Sequence, residues 1–346
     1  MIKTIEIQNF RGVKQGKVDG LSPLSILVGP NNCGKSTVLE ALCTVGLGTS
    51  ASQVAAHLLR RGGAALDALD QVVSRGADSA LLTAVDASGQ PLSSEVSIGR
   101  RFPERVREAR DEGLNEPMKT LWIRCLLAGG EAGERGTLVD PHGKIANDFG
   151  NVIQTKPYHP RPVDVIAVRK GPDLEDAFSD IQRSRTSIKQ IIASLQKAMP
   201  GLTDMQILKS AVTNEFVLHT FRGDEPPVPV YVAGDGLKRY LTIAAACVDT
   251  NAPSVALLEE PESFQHPRYL AEMVAFLVKT ASPDHQIVLA THSMEFIDLL
   301  LEAASDEAPF PTVHRLRLND GVLSATTLTH TQAKDARTEL LQDLRA

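Results

Sequence analysis

One short turn, GPNNCGKST at 29–37, limits what this chain can fold into more than any other stretch. It fits the pattern G-x-x-x-x-G-K-[ST]. Before it lies LSILV (24–28), a short apolar strand; after it comes STVLEALCTVG (36–46), whose Val38, Leu39, Leu42 and Val45 recur at helical spacing. Strand, glycine turn and helix open a βαβ-type unit. Gly29 and Gly34 let the backbone wrap, so that successive N–H groups point at one anion. The positive end of the helix starting near Ser36 faces the same anion. Lys35 is placed to reach the β- and γ-phosphates of a nucleotide and the Ser36 hydroxyl to ligate Mg²⁺, while Asn31, Asn32, Cys33 and Thr37 complete the loop. Cys33 occupies a free position of the pattern and reads as filler, with a reactive thiol beside phosphate as the sharper alternative.

Further along, IKTIEIQ (2–8) alternates as a strand, and MQILKSAV, EFVLHTF, VPVYVAG, SVALLEE (254–260) and HQIVLATHS supply more strands. LKRYLTIAAACV and PRYLAEMVAFLVKTA read as helices, and VHRLRL and VLSATTL, joined by NDG, as a hairpin. Apolar strands alternating with helices imply an α/β fold with a mostly parallel sheet covered on both faces. The stretch 96–204 differs: it is charged, then broken by prolines, and ends in one long helix near 174–199 with the stripe Phe178, Ile181, Ile188, Ile191, Ile192 and Leu195. It reads as an inserted lobe between the core segments 1–95 and 205–346.

Three further stretches carry chemistry. In LLEEPESFQHP (257–267), Glu259 and Glu260 end a buried strand, at the edge where open α/β sheets bind ligands. One carboxylate can hold Mg²⁺ and the next can polarise an attacking water; alone, acids after a strand are common. In LATHS (289–293), His292 follows the next buried strand, within reach of the γ-phosphate or the attacking water. In AGDGLKR (233–239), two glycines precede a helix, either as a second anion-binding helix start or as an ordinary turn.

Composition narrows the setting. The chain is 42% hydrophobic and 23% charged, with net charge −6, so contact with nucleic acid needs a local basic patch. Candidates are Arg100, Arg101, Arg105, Arg107 and Arg110, and then Arg183, Arg185 and Lys189, although interleaved Glu104, Glu108 and Asp111 suit a solvated face. The four cysteines form no CxxC pair and read as free thiols in a reducing compartment. No apolar run approaches the roughly 20 residues needed to span a bilayer, and the first residues lack a signal-peptide core, so the expected location is cytoplasmic.

The order of these features (phosphate loop, inserted stretch, glycine helix start, acidic strand, His) resembles ATPase heads of the ABC type, in the branch holding SMC, RecF and OLD (overcoming lysogenization defect) proteins. IEIQNFRGVKQGKVDGLSPLSILVGPNNCGKSTVLEAL looks like that branch's N-terminal signature, and EEPESFQHP is similar to its EEPExxxHP form, as in OLD-like members. The resemblance covers 1–95 and 205–346 and implies a P-loop NTPase fold. It implies that Gly34, Lys35, Ser36 and Thr37 cradle ATP and Mg²⁺, that Glu259 is the metal-side acid and Glu260 the base, and that His292 senses the γ-phosphate. Arg11 would lie near the nucleotide, and His266 would be structural. Gly234, Asp235 and Gly236 would be the signature that acts on ATP bound by a second subunit. One departure is plain: where the family carries a signature Ser, this chain has Gly234 or Asp235, depending on alignment, and an aligned carboxylate would repel phosphate. Gln53 and Gln71 are the candidates for a glutamine loop. Only about 50 residues follow His292, too few for the Toprim nuclease domain of many OLD-like proteins.

The resulting expectation is an ATP-hydrolysing head that forms a homodimer around ATP and drives a separate effector, a nuclease in DNA maintenance or antiphage defence. The rivals are an ATP sensor or clamp with little turnover, direct DNA engagement, and the ATPase subunit of a membrane transporter.

Overall fold

The computed structural model describes residues 1–47, 50–59, 65–99, 119–127, 132–139, 142, 144–145, 149–150, 159–163, 178, 181, 185–209, 215–248, 253–263, 265–304 and 311–345. Its main sheet runs in the order β8 (Phe149–Gly150), β7 (Ala132–Val139), β6 (Lys119–Leu127), β5 (Pro91–Gly99), β4 (Ala80–Asp86), β1 (Ile2–Phe10), β2 (Val13–Asp19), β16 (Val322–Leu328), β15 (Thr312–Asn319), β3 (Leu24–Val28), β14 (His285–Ala290), β13 (Ser254–Glu259) and β9 (His159–Val163). A small second sheet holds β10 (Leu202–Lys209), β11 (Phe216–Arg222) and β12 (Val228–Pro229).

The expected α/β architecture is present, but the sheet is mixed where a mostly parallel one was expected. From β15 through β3, β14 and β13 to β9 the strands are parallel. From β2 through β1 and β4 out to β8 they are antiparallel. The cause is connection length: β1 reaches β2 through Arg11 and Gly12 alone, and β4 reaches β5 through 87–90, and turns so short can join only antiparallel neighbours. The β15–β16 hairpin turns as its sequence predicts, through Asp320 (φ 51°) and Gly321 (φ 86°).

The stretch 96–204 also departs from expectation. Its described strands do not stand apart as a lobe: β6, β7 and β8 extend one wing of the main sheet, and β9 closes the opposite edge beside β13. The helix expected near 174–199 is described as Arg185–Leu195, with Phe178 and Ile181 also helical; the predicted stripe from Phe178 to Leu195 is buried. Arg100, Arg101, Arg105, Arg107, Arg110 and Arg183 lie outside the described residues.

Both faces of the parallel wing are covered, which is why its strands read as continuous apolar runs. Ala256, Leu258, Ile287 and Leu289 point into a core with helices α4 (Arg185–Leu195), α5 (Asp235–Cys247), α6 (Pro267–Thr280), α7 (Met294–Ala303) and α8 (His330–Thr338). Their neighbours Val255, Leu257, Val288 and Ala290 point the other way, toward α1 (Lys35–Leu47), α2 (Ala51–Leu59) and α3 (Ala65–Asp70). Strand periodicity thus splits one apolar run between two cores. Among the described residues, no helix is long and apolar enough to cross a membrane.

Candidate functional site

The phosphate loop follows β3 and leads into α1, as its sequence predicts. Gly29 sits at φ 146°, where an added Cβ would come within 2.5 Å of the Leu316 carbonyl oxygen and 2.7 Å of Cys33 Sγ, so a side chain is excluded. Gly34 sits at φ 96° and its carbonyl accepts the Val38 N–H at 2.9 Å, starting the helix. Asn32 is also left-handed, at φ 62°.

Lys35 is buried, and its ammonium donates to the Gly29 and Pro30 carbonyls at 2.8 and 2.9 Å, so the loop's own oxygens hold it at the cavity wall. Burial lowers its pKa from the ordinary lysine value, while the nearby Glu260 and Glu259 charges act in the opposite sense. Cys33 is buried against Gly29, with its Sγ 3.7 Å from Lys35 Nζ.

The acids arrive from β13, one strand away from β3 across β14. Ser36 Oγ hydrogen-bonds Glu259 Oε1, joining residues 223 positions apart. Glu260, just past the strand, is left-handed at φ 47°, a conformation that costs roughly 1–2 kcal/mol in a non-glycine residue. Its peptide is held in place: the N–H donates to the Ala290 carbonyl at 2.8 Å, and its carbonyl accepts from Arg239 at 3.1 Å. Strain held this firmly is typical of working sites.

A cavity of about 550 Å³ is lined by Asn31, Asn32, Cys33, Gly34, Lys35, Ser36, Thr37, Glu259, Glu260 and His292, together with Gly12, Ala290 and Leu318. That volume falls in the range of small-molecule sites. Burial, and then the Lys35 charge, lower the His292 pKa, while the Glu260 charge acts in the opposite sense. Among the described residues no group of three or more His, Cys, Asp or Glu could hold a metal ion. The Ser36–Glu259 oxygen pair fits Mg²⁺, a cation that takes few protein ligands and draws the rest from phosphate and water.

Some expected residues lie elsewhere. Arg11 is absent from the lining of this cavity. Its Nε pairs with Glu40 at 3.0 Å, and its other nitrogens donate to the Ala68 and Leu58 carbonyls at 3.4 and 3.2 Å. It lines a neighbouring cavity with Gln71, while Gln53 is exposed on α2; neither glutamine reaches the phosphate-loop cavity. Gly234, Asp235 and Gly236 also stand outside it, with Gly234 as the N-cap of α5. Asp235 is exposed and sits 3.7 Å from Lys238. His266 caps α6, its Nδ1 accepting the Arg268 N–H at 3.2 Å, the structural role expected of it.

Three residues carry roles that sequence reasoning did not assign. Arg239 is fully buried and its Nη2 donates to the carbonyls of both Glu259 and Glu260. Glu262 Oε1 accepts from the Thr291 hydroxyl at 2.6 Å and the His292 N–H at 3.3 Å, and burial raises its pKa. Arg345 donates to the His292 carbonyl at 2.9 Å. Neither Arg239, which stands next to Lys238 in sequence, nor Arg345 had a signal that set it apart.

Comparison with known proteins agrees with this geometry. Residues 1–45 match the family described as "AAA ATPase domain", and residues 142–298 match the one described as "AAA domain, putative AbiEii toxin, Type IV TA system". A Helicobacter pylori protein named ATP/GTP phosphatase is 24% identical over 348 aligned positions, covering 87% of this chain and 87% of the relative. In fold, the chain is similar to a solved SMC head bound to the C-winged helix domain of ScpA (TM-score 0.53, 14% identity, 96% of this chain and 99% of the other). It is also similar to an SMC head with an extended coiled coil bound to the C-terminal domain of ScpA from Pyrococcus furiosus (TM-score 0.52, 12% identity, 99% of each chain). The chain thus carries matches to AAA-type ATPase domains over 1–45 and 142–298, on a fold similar to that of the SMC heads.

Proposed function

We propose that this ATPase works as an OLD-like head: two copies close around ATP, hydrolyse it, and so drive or regulate a separate effector, a nuclease acting in DNA maintenance or antiphage defence. One observation carries the catalytic part. The Ser36–Glu259 contact brings phosphate loop and acidic strand together, with Lys35, Glu260 and His292 on the same cavity.

Lys35 and the loop N–H groups of 31–37 bind the phosphates and neutralise charge that builds on them. Ser36 and Glu259 hold Mg²⁺, which when bound offsets negative charge on the phosphate oxygens. Glu260 takes a proton from the attacking water. His292 hydrogen-bonds the γ-phosphate and reports its presence to the loop that carries it. Gly234, Asp235 and Gly236, outside their own subunit's cavity, serve the site of a second copy. The match to a family described by a toxin–antitoxin name and the likeness to SMC heads bound to ScpA support a partnered ATPase.

Phosphate release and ATP-dependent mass test the reading together. Wild type should hydrolyse ATP, and Glu260→Gln should hold ATP as a dimer with little turnover. Equal phosphate release by the two would sink the catalytic assignment and leave an ATP clamp. That second reading has one observation in its favour, the exposed Asp235 carboxylate at the signature turn. Purification with a genomic neighbour's product, followed by an ATP-dependent nuclease assay, tests the effector.

A further inference from the structure

The main chain of His292 is held from two sides. Its N–H donates to Glu262 Oε1 at 3.3 Å, and its carbonyl accepts from Arg345 Nη1 at 2.9 Å, across 53 positions of chain. Arg345 is itself fixed by Asp343: Nε and Nη2 reach Oδ1 and Oδ2 at 2.9 and 2.7 Å, and the Arg345 N–H adds a bond of 2.9 Å. Such a bidentate pair sets orientation as well as strength.

The segment after α8 is built to deliver this arginine. Leu341 turns left-handed at φ 50°, and the Gln342 N–H returns to the Ala336 carbonyl at 2.9 Å. Arg337 grips Asp298 of α7 at 2.7 and 2.8 Å and the Gln342 carbonyl at 2.7 Å. Leu344 is fully buried in the core. Leu340 and Leu341 stay 64% and 81% exposed, so the return is not held by their burial. What it places is Arg345, against the one loop that carries His292.

With the N–H on one side of its Cα and the C=O on the other both engaged, the His292 backbone has little freedom in φ and ψ, which limits the directions its side chain can take. We infer that Arg345, oriented by Asp343, is a positioning residue for ATP hydrolysis: it sets the His292 side chain toward the phosphate loop by holding the His292 carbonyl. This rests on the role given to His292 above.

Steady-state hydrolysis and thermal melts on the full chain test it, with Arg345→Ala, Arg345→Lys, Asp343→Asn, His292→Ala and the His292→Ala/Arg345→Ala double variant. Arg345→Ala should lower kcat about tenfold with KM for ATP within about twofold. Arg345→Lys should recover part of the loss, since an ammonium can reach the carbonyl but lacks the fork on Asp343. Asp343→Asn should lower kcat less than Arg345→Ala. In the His292→Ala background, Arg345→Ala should cost nothing more, because the two act as one unit. If Arg345→Ala does not fold, the lysine and asparagine variants complete the same cycle. An equal fractional loss with and without His292, or a raised KM at unchanged kcat, would overturn the inference. Impaired His292→Ala beside unimpaired Arg345→Ala overturns the positioning role alone. Unimpaired His292→Ala overturns the reading of His292 and this inference with it.

Discussion

Two glycine turns start helices in this molecule, and they end up in opposite surroundings. The turn before α1 is enclosed: its lysine is buried, the first turn of α1 carries no acid, and the acidic strand closes over Ser36. The turn before α5 faces outward: Gly234 is an N-cap without a side-chain cap bond, Asp235 follows it, and Tyr231 and Val232 beside it are 62% and 60% exposed. Both are helix N-termini, with the same partial positive charge. Only the first is surrounded by groups that complete a site within its own chain. A local motif supplies the anion-binding donors; the strand order around it decides whether they become part of a pocket or stay on the surface.

The largest expected effect breaks the inner turn. Lys35→Ala should cut phosphate release by about a hundredfold or more, as when a fixed transition-state donor is removed. Near-normal turnover would mean that the inner turn is not the reacting site. Next, Glu260→Gln should lower kcat about a hundredfold and leave ATP binding intact, because general-base loss acts on the chemical step. A fluorescent ATP analogue that no longer binds this variant would assign Glu260 to binding instead.

The outer turn responds more mildly and with the opposite sign. If the proposed dimer forms, Asp235→Ser removes a carboxylate from the turn assigned to a partner's phosphate, and ATP-dependent association should tighten by about tenfold, as measured by analytical ultracentrifugation. No change would separate this turn from the interface. The smallest effect on catalysis is expected at Arg11. Its bonds are to Glu40 and two backbone carbonyls, so Arg11→Ala should cost about 2 kcal/mol of stability in denaturant melts while KM for ATP stays within about twofold. A tenfold rise in KM would return Arg11 to the inner site.

The sequence showed most clearly what is set locally. The strand–turn–helix around Gly29 and Lys35 could be read because its glycines and apolar spacing each serve one local geometry. The Ser36–Glu259 approach followed from strands ending on one edge. Other features depend on distant packing. The alternating residues of β4 and β5 fit any half-buried sheet, so nothing in them announced an antiparallel wing. Lys238 and Arg239 look alike in sequence, yet Lys238 is half-buried beside Asp235 while Arg239 turns fully into the core. Arg11, which the N-terminal signature placed near the nucleotide, ties α1 to the carbonyls of α2 and α3 in this structure.

Arg239 sits between the two turns compared above. It belongs to the first turns of α5, and its guanidinium is bonded to the last carbonyls of the acidic strand. Hydrogen bonds lose most of their strength when stretched beyond about 3.5 Å. The outward helix start therefore cannot slide by more than roughly an ångström without either dragging Glu259 and Glu260 along or breaking their anchor. Mechanically, the exposed helix start and the acids are one strut, so a load applied at that surface is passed to the part of the cavity wall that Glu259 and Glu260 form.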